Sequence, residues 1–142
     1  MAIPPHLALE IVTPDRAILH DKVDEVQIPG ADGYFGVLPG HTPLLSSLQV
    51  GQLWYRKGTE ITYLSIAFGF AEVLPDRVTI LAQFAEKAEE IDVERAHAER
   101  QRAEADLARL ATTSNADLER ARVSLLKALT RLQVATRART RG

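Results

Sequence analysis

The stretch Pro29–Leu45, PGADGYFGVLPGHTPLL, decides how this 142-residue chain is read. It sets glycines at 30, 33, 36 and 40 and prolines at 29, 39 and 43 around Phe35, Val37 and Leu38. Glycine serves where the backbone needs positive φ or close approach, and proline fixes φ and removes a donor. Gly33 and Gly36 therefore bracket a tight strand, which a bulge would suit. The Pro39-Gly40 pair makes a turn that places His41, Thr42 and Pro43 on a rigid loop tip. Such a tip on a β scaffold suits contact with a partner. A hairpin with strict turn chemistry accounts for the same residues without one.

Upstream and downstream of this stretch the punctuation is equally dense. All seven prolines, and every glycine but Gly142, precede Ala85. Short apolar segments between such turns point to an all-β sandwich or barrel. Leu7, Leu9 and Ile11 alternate with Ala8, Glu10 and Val12, as in a half-buried strand, and Thr13-Pro14-Asp15-Arg16 reads as a turn. Val26 and Ile28 continue the period-2 pattern until Pro29. Gln52–Arg56 and Ile61–Ser65 flank Lys57-Gly58-Thr59-Glu60 as one hairpin. Ala71–Leu74 and Val78–Leu81 flank Pro75-Asp76-Arg77 as another.

From Glu86 onward the composition turns to Ala, Glu, Arg and Leu, all good helix formers. Val93, Ala96, Arg100, Ala103, Leu107 and Leu110 form one narrow stripe at helical spacing. Thr112-Thr113-Ser114-Asn115 interrupts it, and Ser114 or Asn115 can cap a second helix carrying Leu118, Ala121, Leu125, Leu129 and Leu132. A short link makes the pair an antiparallel hairpin. The first helix starts acidic, with Glu86, Glu89, Glu90, Asp92 and Glu94. The second carries Arg120, Arg122, Lys127, Arg131, Arg137, Arg139 and Arg141 against Glu119 alone after Leu118. That asymmetry fits a solvated face with a helix-dipole benefit, and equally a basic arm that meets an acidic partner. The predicted architecture is an N-terminal antiparallel β-sandwich over 1–86 and a C-terminal antiparallel two-helix hairpin over 87–142. The hairpin's thin, alanine-rich stripes make it weakly held.

Several function classes drop out. A formal net charge of -2 argues against a generic nucleic-acid binder. With no cysteine there is no thiol nucleophile and no cysteine–zinc site. The start shows no secretory signal, and the longest apolar run, near Tyr63–Leu74, falls short of the roughly 18 residues of a membrane span. A soluble, intracellular chain is expected, linked to a membrane only through a partner. There is no GxxxxGK[ST], and His6, His20, His41 and His97 are dispersed. Ser46, Ser47 and Ser65 lack a nucleophile elbow. No catalytic or metal site is predicted. In Ile91-Asp92-x-x-Arg95-Ala96, Asp92 and Arg95 are neighbours on one helix face, with Arg102 two turns on. Lys127 and Arg131 share a face of the second helix. The four cations suit an anion such as a triphosphate, while charge pairs at i,i+3 and i,i+4 are usually plain helix stabilisers.

Taken together, Gly33–Leu45 (GYFGVLPGHTPLL), Phe68–Val73 (FGFAEV), Val78–Gln83 (VTILAQ) and Ala88–Ala96 (AEEIDVERA) resemble the epsilon subunit of bacterial F-type ATP synthases. The likeness runs from Leu7 to Ala135 with the motifs in family order. It implies a non-catalytic subunit of the central rotor of a proton-translocating ATP synthase, peripheral at the cytoplasmic face of the bacterial cell membrane. The sandwich would bind the gamma subunit and the c-ring, with Asp32, Tyr34, His41, Thr42 and Pro43 in the contact. The hairpin would switch between folded and extended forms. When extended, its basic face of Arg120, Arg122, Lys127 and Arg131 would meet the alpha/beta catalytic subunits and inhibit ATP hydrolysis. The resemblance also implies ATP as a regulatory ligand, with no obligatory cofactor. Ile91, Asp92, Arg95 and Ala96 match the family's ATP-binding motif, and Glu86, Arg102, Lys127 and Arg131 stand in supporting positions. Two departures are visible: Lys127 replaces an arginine, losing the bidentate fork, and Tyr34 replaces an acidic residue of the loop. A purely structural coupling adapter is the alternative.

Overall fold

A computed structural model of the chain describes residues 2–110 and 115–140. It divides into two compact units, Met1–Lys87 and Ala88–Gly142.

The first unit holds eight strands: β1 (Leu7–Val12), β2 (Ala17–Val23), β3 (Glu25–Gly30), β4 (Gly33–Val37), β5 (Leu44–Leu48), β6 (Gly51–Lys57), β7 (Glu60–Leu74) and β8 (Arg77–Lys87). They run in the order β2-β1-β8-β7-β5-β3-β4, with β6 closing between β3 and β7. Every pairing is antiparallel except β1 with β8, which is parallel. The alternation at the start of the chain is realised as a strand with Leu7, Leu9 and Ile11 wholly buried. Pro29 does not end β3, as the sequence suggests, but lies inside it opposite Tyr34. The β3–β4 register is continuous, so the glycines of β4 introduce no bulge. Leu38, apolar and next to the buried Val37, is exposed.

The two segments expected as separate strands, Ile61–Ser65 and Ala71–Leu74, belong to the single 15-residue β7. Its first half pairs with β6 up to Ile66, and its second half pairs with β5 from Gly69. The change of partner falls at Phe68 and Gly69, both with positive φ (60° and 121°). Strands that cross between the layers of a β fold turn such corners through bends and bulges. Gly69 is obligatory here, because a Cβ would run into the carbonyl oxygen of Leu81. Large aliphatics fill the interior, with Leu9, Ile28, Leu53, Leu64, Ile66 and Ile80 each fully buried. Each contributes about 1.5–3 kcal/mol through burial.

The second unit begins with a 3-10 turn at Ala88–Glu90, followed by α1 (Val93–Leu110) and α2 (Asn115–Thr140), which pack against each other. Glu86, expected at the start of the first helix, is instead in β8 opposite Ser65. Asp92 caps α1: its side chain accepts the Arg95 N–H at 3.1 Å while its carbonyl accepts from Ala96. Ile91 and Ala96, at the positions of a hydrophobic staple, are both buried. The buried residues of the helices are mostly alanine: Ala96 and Ala103 on α1, and Ala121, Ala128 and Ala135 on α2, successive ones seven residues apart, with Thr130 and Val134 also buried on α2. Leu129, placed in the stripe by spacing, is 36% exposed, and Ala128 takes its place. Thr112, Thr113, Ser114 and Arg141, with the side chains of Leu110 and Arg139, lie outside the described residues.

Candidate functional site

Two surfaces carry the residues singled out above. The first is the β3–β5 region of the sandwich. Leu38 to His41 form the expected turn: the His41 N–H reaches the Leu38 carbonyl at 3.2 Å, with Pro39 and Gly40 (φ 89°) at its centre, as in a type II turn. A hydrogen bond that the sequence did not foretell, from the Gly40 N–H to the Pro75 carbonyl at 2.7 Å, ties this loop to the β7–β8 turn. His41 donates from Nδ1 to the Thr42 carbonyl at 2.6 Å, which stiffens the tip further. Asp32 lies exposed in the β3–β4 turn. Tyr34 is half exposed, and its hydroxyl accepts the Gln52 N–H at 3.0 Å, so the ring is held against the start of β6 rather than left loose.

Asp32 and Tyr34 line a groove with Phe35, Leu44, Leu45 and Ser47, between the β3–β4 hairpin and β5. Beside it Leu45, 71% exposed, shares an outward face with Phe70 and Leu81, which pair across β7 and β8. Exposed apolar side chains gathered on one sheet face mark a contact surface. Periodicity could not find this patch, since β7 and β8 alternate on both faces with apolar residues.

The second surface lies along the hairpin. Arg95 and Glu99, one turn apart on α1, pair at 3.1 Å. Arg131 reaches across from α2 to the other oxygen of Glu99 at 2.8 Å. The hairpin thus brings Arg95 and Arg131 together, with Lys127 half-buried one turn before Arg131 and Arg102 exposed one turn beyond Glu99. Asp92 is engaged as the helix cap. Ile91 and Ala96 are buried and offer only shape. Glu86 belongs to the other unit.

The four residues expected to form one basic face do not. At about 100° per residue, Arg120, Lys127 and Arg131 cluster while Arg122 points to the far side of α2. Arg131 is turned inward, its side chain 17% exposed. Arg120 and Arg122 are exposed, each paired with an acid one turn earlier, Asp117 and Glu119. Glu99 is the member that sequence reasoning missed. Its i,i+4 spacing from Arg95 was available, whereas its link to Arg131 spans 32 residues.

Away from both surfaces, Asp21, Asp24 and Lys57 are ion-paired and hydrogen-bonded around the β6–β7 turn. Asp24 accepts the Gly58 N–H at 2.7 Å, and His6 Nδ1 is 3.0 Å from its other oxygen. These bonds hold its carboxyl below the ordinary 3.8. Lys57 does the same for Asp21 through a 2.9 Å contact, and is itself raised above 10.5. Both groups pin the β6–β7 turn to the segment around β2 and β3, a structural task. Among the described residues no cluster of His, Asp and Glu is arranged to hold a metal, and no helix is long and apolar enough to cross a membrane.

Comparison with known proteins places the chain. Residues 6–88 match the β-sandwich domain of the ATP synthase delta/epsilon chain, and residues 89–136 match its long α-helix domain. The ATP synthase epsilon chain of Syntrophobacter fumaroxidans is 52% identical over 129 residues, 91% of this chain and 95% of that one. ATP synthase epsilon chain 2 of Syntrophotalea carbinolica is 47% identical over 131 residues, 92% and 94% of the two chains. Among solved structures, a chain of the Euglena gracilis mitochondrial ATP synthase OSCP/F1/c-ring assembly matches at a TM-score of 0.79 and 25% identity, covering 99% of this chain and 84% of that one. With both of its parts matched in order by the family's domains, and with relatives alike over nearly their full length, the chain belongs to the ATP synthase delta/epsilon chain family, as a non-catalytic subunit of that complex.

Proposed function

We propose that this chain is a rotor subunit of the central stalk that couples c-ring rotation to the catalytic head, and that its hairpin restrains ATP hydrolysis. The sandwich contributes two contacts in this reading. The stiff Pro39–Pro43 tip and the Asp32–Tyr34 turn face the c-ring, and the apolar face of Leu45, Phe70 and Leu81 seats the gamma subunit. The hairpin leaves its folded form and lays the face of Arg120, Lys127 and Arg131 against acidic surface of the alpha/beta subunits. ATP favours the folded form through Arg95, Arg102, Lys127 and Arg131. The subunit sits peripherally at the cytoplasmic face of the cell membrane, as part of the complex.

The alanine seam carries this reading most directly. Each buried alanine contributes far less apolar area than the aliphatics of the sandwich. Two docked states of the hairpin can then differ by only a few kcal/mol, the range in which a ligand or partner shifts populations. The test is ATP hydrolysis by a matching catalytic core lacking this subunit, supplied with the full chain or with a chain ending at Lys87. Slower hydrolysis with the full chain alone is the expected result. Binding of both without inhibition by either would leave a coupling adapter with no inhibitory hairpin.

A further inference from the structure

Glu99 occupies the place where the hairpin's two best anion-binding groups converge. Its Oε1 lies 3.1 Å from Arg95 Nε and its Oε2 2.8 Å from Arg131 Nη1, so each oxygen takes a guanidinium from a different helix. The alanine seam lets the helices approach closely enough for Arg131 to span the gap. A phosphate uses the same chemistry, presenting several acceptor oxygens to planar guanidinium forks. A polyphosphate arriving at Arg95 and Arg131 would find both already engaged and would meet the negative charge of Glu99.

We propose that Glu99 is the hairpin's built-in anion: it competes with polyphosphate for Arg95 and Arg131 and closes the hairpin without a ligand. This inference rests on reading that face as a nucleotide site, and it adds a residue that sets the site's affinity. Removing the charge, as in Glu99→Gln, abolishes the ion pairing of position 99 with both guanidiniums. Shortening the side chain by one methylene, as in Glu99→Asp, leaves it able to hold one of the two.

The experiment titrates the full chain and its Glu99→Gln variant, separately, with Mg-ATP and with inorganic tripolyphosphate, followed by calorimetry. Glu99→Gln is expected to bind both anions at least about tenfold more tightly than the parent chain. Glu99→Asp should fall between them, and adding Arg131→Gln to Glu99→Gln should erase the gain. Circular dichroism checks folding, and if Glu99→Gln does not fold, Glu99→Asp decides by the same criterion. Equal affinities in parent and variant, including no measurable binding in either, overturn the proposal. If the parent already binds ATP as tightly as the variant, competition is wrong and the nucleotide reading survives. A gain for tripolyphosphate with none for ATP upholds competition and removes the nucleotide reading.

Discussion

The sandwich and the hairpin meet the same demand, burial of apolar surface, with different side chains. In the first unit the interior is Leu, Ile and Val on facing strands, and the largest of them are wholly buried. In the second it is mostly alanine, with Ile91, Thr130 and Val134, and long charged residues along its margins joined by ion pairs. Exposed ion pairs are each worth about 0–1 kcal/mol. The proposed switch needs a unit held this lightly, whereas the sandwich is built to stay closed. The contrast suits a subunit with one part that must stay rigid and another that must respond.

The largest test of that contrast is Leu9→Ala in β1. It should lower unfolding free energy by about 2–5 kcal/mol, read from denaturant midpoints, whereas a loss well under that range would mean the core is not the rigid element. Gly69→Ala follows, through strain at positive φ and the collision with Leu81. The expected loss is at least roughly 1–3 kcal/mol, and a neutral result would refute the corner described for β7. Asp92→Ala removes the cap of α1 and should cost about 0.5–2 kcal/mol. Limited proteolysis should show the hairpin opening while residues of the sandwich stay protected. If sandwich and hairpin become sensitive together, the two units are not energetically separate.

The smallest effect concerns pH. Asp24 has its carboxyl lowered below 3.8, so its contribution is fully present above that value and fades as pH falls through the lower folded value. Asp21 behaves in the same way, and the raised Lys57 loses its contribution only as pH climbs past 10.5. The stability gap between the parent chain and Asp24→Asn should therefore shrink between pH 7 and about pH 2. Urea midpoints at the two values check this, and a gap that widens in acid would reverse the assignment.

Much of the molecule is legible in its sequence, wherever the signal is local. The period-2 alternation of Leu7, Leu9 and Ile11, the Pro39-Gly40 turn, the hairpins at Gly58 and Pro75-Asp76, and the helical alanine stripe each depend on a few consecutive residues. So does the spacing of Ile91, Asp92, Arg95 and Ala96, although the fold assigns Asp92 first of all to capping. Tertiary structure decided what depends on distant partners: the parallel pairing of β1 with β8, the passage of β7 between two partners at Gly69, and the hold of Gln52 on Tyr34. It also separated Arg122 from the other cations and carried Arg131 to Glu99. The physical reason is that propensity and turn chemistry act within a turn or two of chain. Which strand or helix lies alongside is settled by the joint packing of side chains far apart in sequence, and no short window of the chain contains that information.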